Sequence, residues 1–200
     1  MFTLINGSPR NNRSNSKYFL SFIEQKLDNY NLFYINKDKF CTILDSISIS
    51  DVIVFSFPLY VDSEPSSLLS FMDYVIDNNI DISNKKVYAV VNCGFLEGEQ
   101  NITAIEIIKR WCYKTNAIYS GSILIGAGEI VGKKKYQLIT KKALKELNIF
   151  AENVLNQKKF DDIITTMSFM NPRLYCTLAN ISWAKNGRKN GLSNDELRMT

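Results

Sequence analysis

Between Asn6 and Ser16 the chain reads NGSPRNNRSNS, with three serines, two arginines and no acidic residue. Serine hydroxyls and asparagine amides donate hydrogen bonds, and guanidiniums donate charge-assisted ones. The run stands directly behind the apolar stretch Phe2–Ile5 and ahead of a helical pattern that begins at Tyr18-Phe19. A helix starting here aims free N–H groups and the positive end of its dipole into the same space. The chemistry these residue types favour is the holding of a phosphate. An ordinary polar loop with Ser14 or Asn15 as helix N-cap is the alternative, and composition leaves both open. GSPRNNRS is neither GxxxxGK[ST] nor GxGxxG.

Other chemistries are limited by what is missing. The chain has no histidine, which removes Ser-His-Asp and Cys-His catalysis and every histidine-based metal site. Cys41, Cys93, Cys112 and Cys176 are scattered without a CxxC pair, so no metal site is expected. The net charge of +4 is mild and dispersed, favouring small anions without arguing for nucleic acid. No apolar run reaches membrane-spanning length and no leader-like N-terminus is present. A cytoplasmic protein with no membrane partner is the expectation.

The elements that must position the loop follow from periodicity. Phe2–Asn6, Leu32–Asn36, Val52–Phe57, Val87–Asn92 and Tyr119–Ile125 read as buried strands, the third and fourth almost continuously apolar. Helical stripes lie between them: Tyr18, Phe19, Phe22, Ile23 and Leu27, then Phe40, Ile43, Leu44 and Ile47. Further on come Leu68, Leu69, Met72, Val75 and Ile76, then Ile105, Ile108 and Trp111, then Ile139, Ala143, Leu147, Phe150 and Val154. Strand–helix alternation repeated five times predicts an α/β protein with an open parallel sheet covered on both faces. In such a sheet, ligands bind outside the carboxyl ends of the strands, beside the first loop. Asn171-Pro172 predicts a last helix ending at Asn186-Gly187, followed by an SNDEL capping signal. Residues 1–200 thus read as one domain with a C-terminal helical appendage from about residue 160.

Three segments carry a resemblance. NGSPR followed by SNS resembles the phosphate loop of the NADPH-dependent FMN reductases, flavodoxin-like enzymes. FPLYVDSEPSSLLSFMDYV (Phe57–Val75) and VNCGFLEGEQN (Val91–Asn101) resemble that family's two loops against the flavin ring. The resemblance implies a flavodoxin-like three-layer α/β/α sandwich whose five-stranded sheet has the order 2-1-3-4-5. It implies bound FMN, with Ser8, Arg10, Ser14, Asn15 and Ser16 on the phosphate. Pro58, Leu59, Tyr60, Val61 and Asp62 would border one side of the ring. Asn92, Cys93, Gly94, Phe95 and Gln100 would border the other, with Glu97 nearby. Cys93 is read as a small buried residue rather than a redox thiol.

The implied activity is an NAD(P)H-dependent oxidoreductase. Hydride would pass from NADPH or NADH to FMN, and reducing equivalents onward to a flavin, quinone or other small acceptor. The flavin carries the chemistry, so no catalytic side chain is assigned. The alternative is a non-enzymatic flavodoxin-type electron-transfer protein, though flavodoxins are usually strongly acidic. GAGEIVG (Gly126–Gly132) reads as a loop bordering the same crevice. Lys133-Lys134-Lys135 reads as a solvated helix entrance that can also attract a nucleotide phosphate. The apolar residues of Pro172–Trp183 predict a homodimer, against the alternative of packing within the chain.

Overall fold

Alternate residues of the apolar runs face opposite sides of one sheet, and each side has its own core. The computed structural model describes residues 1–133, 136, 138–167, 171–193 and 195–198. Strands β1 (Phe2–Asn6), β2 (Tyr30–Tyr34), β3 (Val52–Pro58), β4 (Lys86–Asn92), β5 (Ile118–Ile125) and β6 (Ile163–Thr165) pair in parallel in the order β2-β1-β3-β4-β5-β6. Ile5, Ile53, Phe55, Val87 and Ala89 pack on one side against α2 (Phe40–Ser48), α3 (Ser66–Asp77) and α4 (Ile102–Lys114). Leu4, Val54, Tyr88, Val90 and Ile123 pack on the other against α1 (Asn15–Glu24) and α6 (Lys141–Leu155). The short helix α5 (Gly128–Val131) follows β5.

The expected order 2-1-3-4-5 is present, extended by a sixth strand. Ile163–Thr165 is too short for a two-residue period to show in sequence. Asp162, just ahead of it, binds the sheet: Tyr119 Oη and Ser122 Oγ donate to its Oδ1, and Lys109 Nζ lies 2.9 Å from its Oδ2. Edge strand β2 ends at Tyr34, two residues earlier than the apolar pattern predicts. There Asp38 Oδ2 accepts from the Tyr34 N–H at 2.7 Å and turns the chain.

Two compact units are present, Met1–Thr166 and Met167–Thr200. In the second, α7 (Pro172–Lys189) starts as expected: Asn171 Oδ1 accepts from the N–H groups of Arg173 and Leu174, and Pro172 opens the helix. It runs past the expected end at Gly187 to Lys189. The stop is the next glycine: Gly191 takes φ +88, its N–H donates to Arg188 O, and the Leu192 N–H donates to Gly187 O. That pair of bonds satisfies the last carbonyls of the helix. The SNDEL signal forms a box in which the Ser193 N–H donates to Glu196 Oε2 at 2.7 Å and the Glu196 N–H to Ser193 Oγ at 3.3 Å.

Candidate functional site

The loops after β1, β3 and β4 meet at the carboxyl end of the sheet, and Asn6 organises the first of them. At the buried tip of β1, its Oδ1 accepts from the Ser8 N–H at 2.9 Å. Its Nδ2 donates to Asn11 O and to Ser14 Oγ, both at 3.1 Å. Ser14 caps α1: its Oγ accepts from the Lys17 N–H at 3.1 Å and donates to Asn11 O at 2.6 Å. The hydroxyl of Ser14 is thus spent on the loop's shape. Gly7 lies under the loop because a Cβ there would come within 2.9 Å of Leu68 and 3.0 Å of Phe57. Asn6 went unnoticed in the sequence. Its only signal there is a polar residue ending an apolar strand.

What remains available is donor-rich. No acceptor among the described residues meets the N–H groups of Asn15 and Ser16, the first two of α1. The Ser8 Oγ accepts from the Arg10 N–H at 3.3 Å, and its own proton has no acceptor among the described residues. Arg10 and Arg13 are exposed, with no ion-pair partner among the described residues. No acidic residue lies between Asn6 and Ile23. Such a cradle fits a phosphate monoester.

The other two loops are locked to the first. Asn92, buried at the end of β4, donates from Nδ2 to Ser16 Oγ at 3.2 Å and to Phe57 O at 3.0 Å. Its carbonyl accepts from the Leu59 N–H at 2.8 Å. After Leu59 the chain makes a two-residue reversal: the Tyr60 N–H donates to Ser63 O at 2.8 Å and the Ser63 N–H to Tyr60 O at 3.1 Å. Val61 and Asp62 both take left-handed φ, +49 and +58. Pro58 and Leu59 are half-buried, Asp62 is exposed, and Val61 is 98% exposed. The loop after β4 exposes Gly94 and Phe95, the latter to 56%. Tyr60, Val61 and Phe95 therefore offer apolar surface beside a polar cradle, as a flat ring bearing a phosphate requires.

Cys93 faces inward. Its Sγ donates toward Glu97 O at 3.5 Å and Phe95 O at 3.7 Å, and Asn101 Nδ2 donates to it at 3.5 Å. Burial pushes its pKa up, so the thiol stays protonated. Gln100 is exposed on a 3-10 turn, Gly98–Asn101, that packs toward β5 and β6. Glu64, whose sequence context Glu64-Pro65-Ser66 reads as a helix start, is a buried polar residue just ahead of α3. It is 2% exposed, its Oε2 accepts from Ser63 Oγ at 3.1 Å, and its Oε1 has no partner among the described residues. Burial raises its pKa.

The segment after β5 is bonded to the loop after β4. Ala127 takes φ +50, and its N–H donates to Phe95 O at 2.5 Å. A Cβ at Gly126 would sit 2.2 Å from Leu96 O, so this glycine admits no larger residue without movement. Lys134 and Lys135 lie outside the described residues. A depression lined by Ser50, Asp51, Ser83, Lys85, Lys86 and Gln157 opens at the opposite end of the sheet. Its lysines are engaged, Lys85 on the carbonyls of Ser48 and Ser50 and Lys86 on that of Gln157. Among the described residues no cluster of three metal-ligating side chains occurs, and no helix is long and apolar enough to cross a membrane.

No family model and no curated protein sequence matches the chain. Solved structures do. The Trp repressor binding protein from Bacillus subtilis is 17% identical, covers 74% of this chain and 96% of its own, and has a TM-score of 0.62. An NADPH-quinone reductase from P. pentosaceus is 17% identical over 78% of this chain and 97% of its own, with a TM-score of 0.59. An FMN-dependent NADH-azoreductase from Bacillus anthracis, in complex with FMN, is 14% identical over 77% and 98%, with a TM-score of 0.58. The flavodoxin of Streptococcus pneumonia TIGR4 is also similar, at 13% identity over 78% and 99% and a TM-score of 0.57. Identities this low establish architecture: the chain has the flavodoxin-like α/β/α fold, and it shares that fold with NADPH-quinone reductase, azoreductases and flavodoxins.

Proposed function

We propose that the protein binds FMN in this crevice and takes reducing equivalents from NADPH or NADH to a flavin, quinone or other small acceptor. The observation that carries the reading is the tie from Asn92 to both Ser16 and Phe57, which joins an anion-favouring loop to the apolar loop beside it. Bound FMN supplies the hydride-accepting and electron-passing chemistry. Arg10, Ser8 and the N–H groups of Asn15 and Ser16 hold the phosphate, in a loop shaped by Asn6 and Ser14. Pro58, Leu59, Tyr60, Val61 and Asp62 border the ring on one side. Asn92, Cys93, Gly94 and Phe95 border it on the other, with Gln100 at the margin. Tyr60, Val61 and Phe95 exclude water from the ring, while backbone groups meet its edge. The inward thiol of Cys93 takes no part in proton or electron transfer.

The flavin site belongs to residues 1–166, and the appended α7 serves assembly. Its exposed Leu174, Leu178, Ile181 and Trp183 suit a homodimer contact within a cytoplasmic enzyme. A monomeric mass of the flavin-loaded protein by light scattering would remove that part of the reading.

Anaerobic titration of the flavin-loaded protein tests the activity. Bleaching of the flavin absorbance by NADPH or NADH is the expected result. Reduction by dithionite with no response to either nucleotide would support the flavodoxin-type shuttle, to which the net charge of +4 gives no support.

A further inference from the structure

The segment after β5 reaches the phosphate cradle through two glycines. A Cβ at Gly128 would lie 2.9 Å from Asn92 Oδ1, and one at Gly132 would lie 2.7 Å from Asn15 Oδ1. Both approaches are closer than real Cβ contacts allow, so α5 is seated against the end of β4 and the first turn of α1. The left-handed turn at Ala127 and the bond from the Gly128 N–H to Cys93 O, 2.8 Å, fix how it enters. A sequence reading of GAGEIVG gives only a loop beside the first one. In the fold its glycines bring this segment onto the side chain of Asn15.

Lys133 comes next. Its Cα is one peptide step, about 3.8 Å, from that of Gly132. Its four-carbon stem spans roughly 6 Å, enough to reach the start of α1. Its ion pair with Glu129 is long, at 4.0 Å, and both side chains are half-exposed, so little holds the ammonium away from a stronger anion. The cradle beside it offers the N–H groups of Asn15 and Ser16 and the guanidinium of Arg10, with no carboxylate on its own loop.

We propose that Lys133 is a phosphate-binding residue, adding an ammonium from the β5–α6 segment to the cradle of the first loop. The cradle then draws on the segments that follow β1 and β5 at the same end of the sheet, and the anion it takes is the phosphate monoester of a flavin nucleotide. The inference rests on the FMN reading above and deepens it.

Fluorescence titrations of FMN and riboflavin against the full-length protein, Lys133→Gln and Lys133→Arg test it. Riboflavin lacks only the phosphate. Lys133→Gln should weaken FMN by about threefold to thirtyfold and leave riboflavin unchanged. It should also flatten the salt dependence of FMN binding, and Lys133→Arg should restore both. An unchanged FMN affinity, or an equal loss for FMN and riboflavin, would overturn the proposal. So would an unchanged FMN affinity with a raised KM for NADPH and not NADH, which would assign the lysine to the dinucleotide. If the unsubstituted protein bound neither flavin, the FMN reading itself would fall, a result distinct from all of these.

Discussion

Asn92 Nδ2 donates to Ser16 Oγ across 3.2 Å, so the end of β4 holds the first turn of α1 directly. The same nitrogen holds Phe57 O at 3.0 Å, and with it the end of β3. Both bonds are buried, so losing them strands polar groups away from water. Asn92→Ala should destabilise the fold by about 1–3 kcal/mol in urea denaturation and weaken flavin binding as the two loops separate. Unchanged stability would mean that the loops are held by packing alone.

Arg10 and Arg13 are both exposed, yet only Arg10 stands where the resemblance places the phosphate ligand. Arg10→Ala should weaken FMN binding by about 1.5–3 kcal/mol, the range for hydrogen bonds to charged groups, with little effect on riboflavin. Arg13→Ala should cost less. Equal losses, measured by the same titration, would show that the loop presents both guanidiniums to the ligand.

Val61 and Asp62 occupy the two central positions of a hairpin turn that favours Asn-Gly, because both need left-handed φ. A β-branched residue there is strained by roughly 1–2 kcal/mol. Glycine relieves that strain but gives some back through a freer unfolded chain. Val61→Gly should therefore raise stability by about 0.5–1 kcal/mol in thermal denaturation. It should also loosen flavin binding if, as proposed, the exposed Val61 side chain covers the ring. A variant that gains stability and keeps its affinity would remove Val61 from the site.

Glu64 gives a pH signature. Burial raises its carboxyl pKa above the ordinary 4.5, and no charged neighbour offsets that. A carboxyl raised in the folded state contributes its full share to stability below the unfolded pKa. That share is lost as pH rises through the folded pKa. Glu64→Gln should match the unsubstituted protein below about pH 4 and exceed it at about pH 7, by about 1–3 kcal/mol, the cost of a buried unpaired polar group. A variant less stable at neutral pH would mean that the carboxylate has a partner.

Much of this architecture is legible in the sequence because each apolar run satisfies two cores at once. Val52–Phe55 alternates between them residue by residue, which is why that stretch is continuously apolar. The polar loop behind β1 is legible for the opposite reason, since nothing in it can be buried without partners. What escapes is non-local. Asn6 and Glu64 look like an ordinary strand end and helix start until their burial is seen. The close approaches at Gly126, Gly128 and Gly132 depend on atoms of Leu96, Asn92 and Asn15, far off in the chain. Strand β6 is held by Asp162, whose partners Lys109, Tyr119 and Ser122 lie on α4 and β5. No local pattern announces a strand made that way.

The central claim is that the crevice binds FMN through its phosphate. Equilibrium titration of the full-length protein with FMN and riboflavin at fixed ionic strength measures it most directly. The account predicts saturable FMN binding with a shifted flavin spectrum, and riboflavin binding weaker by at least about tenfold, the share of one charge-assisted contact. Equal affinity for the two flavins, or no binding of either, would contradict it.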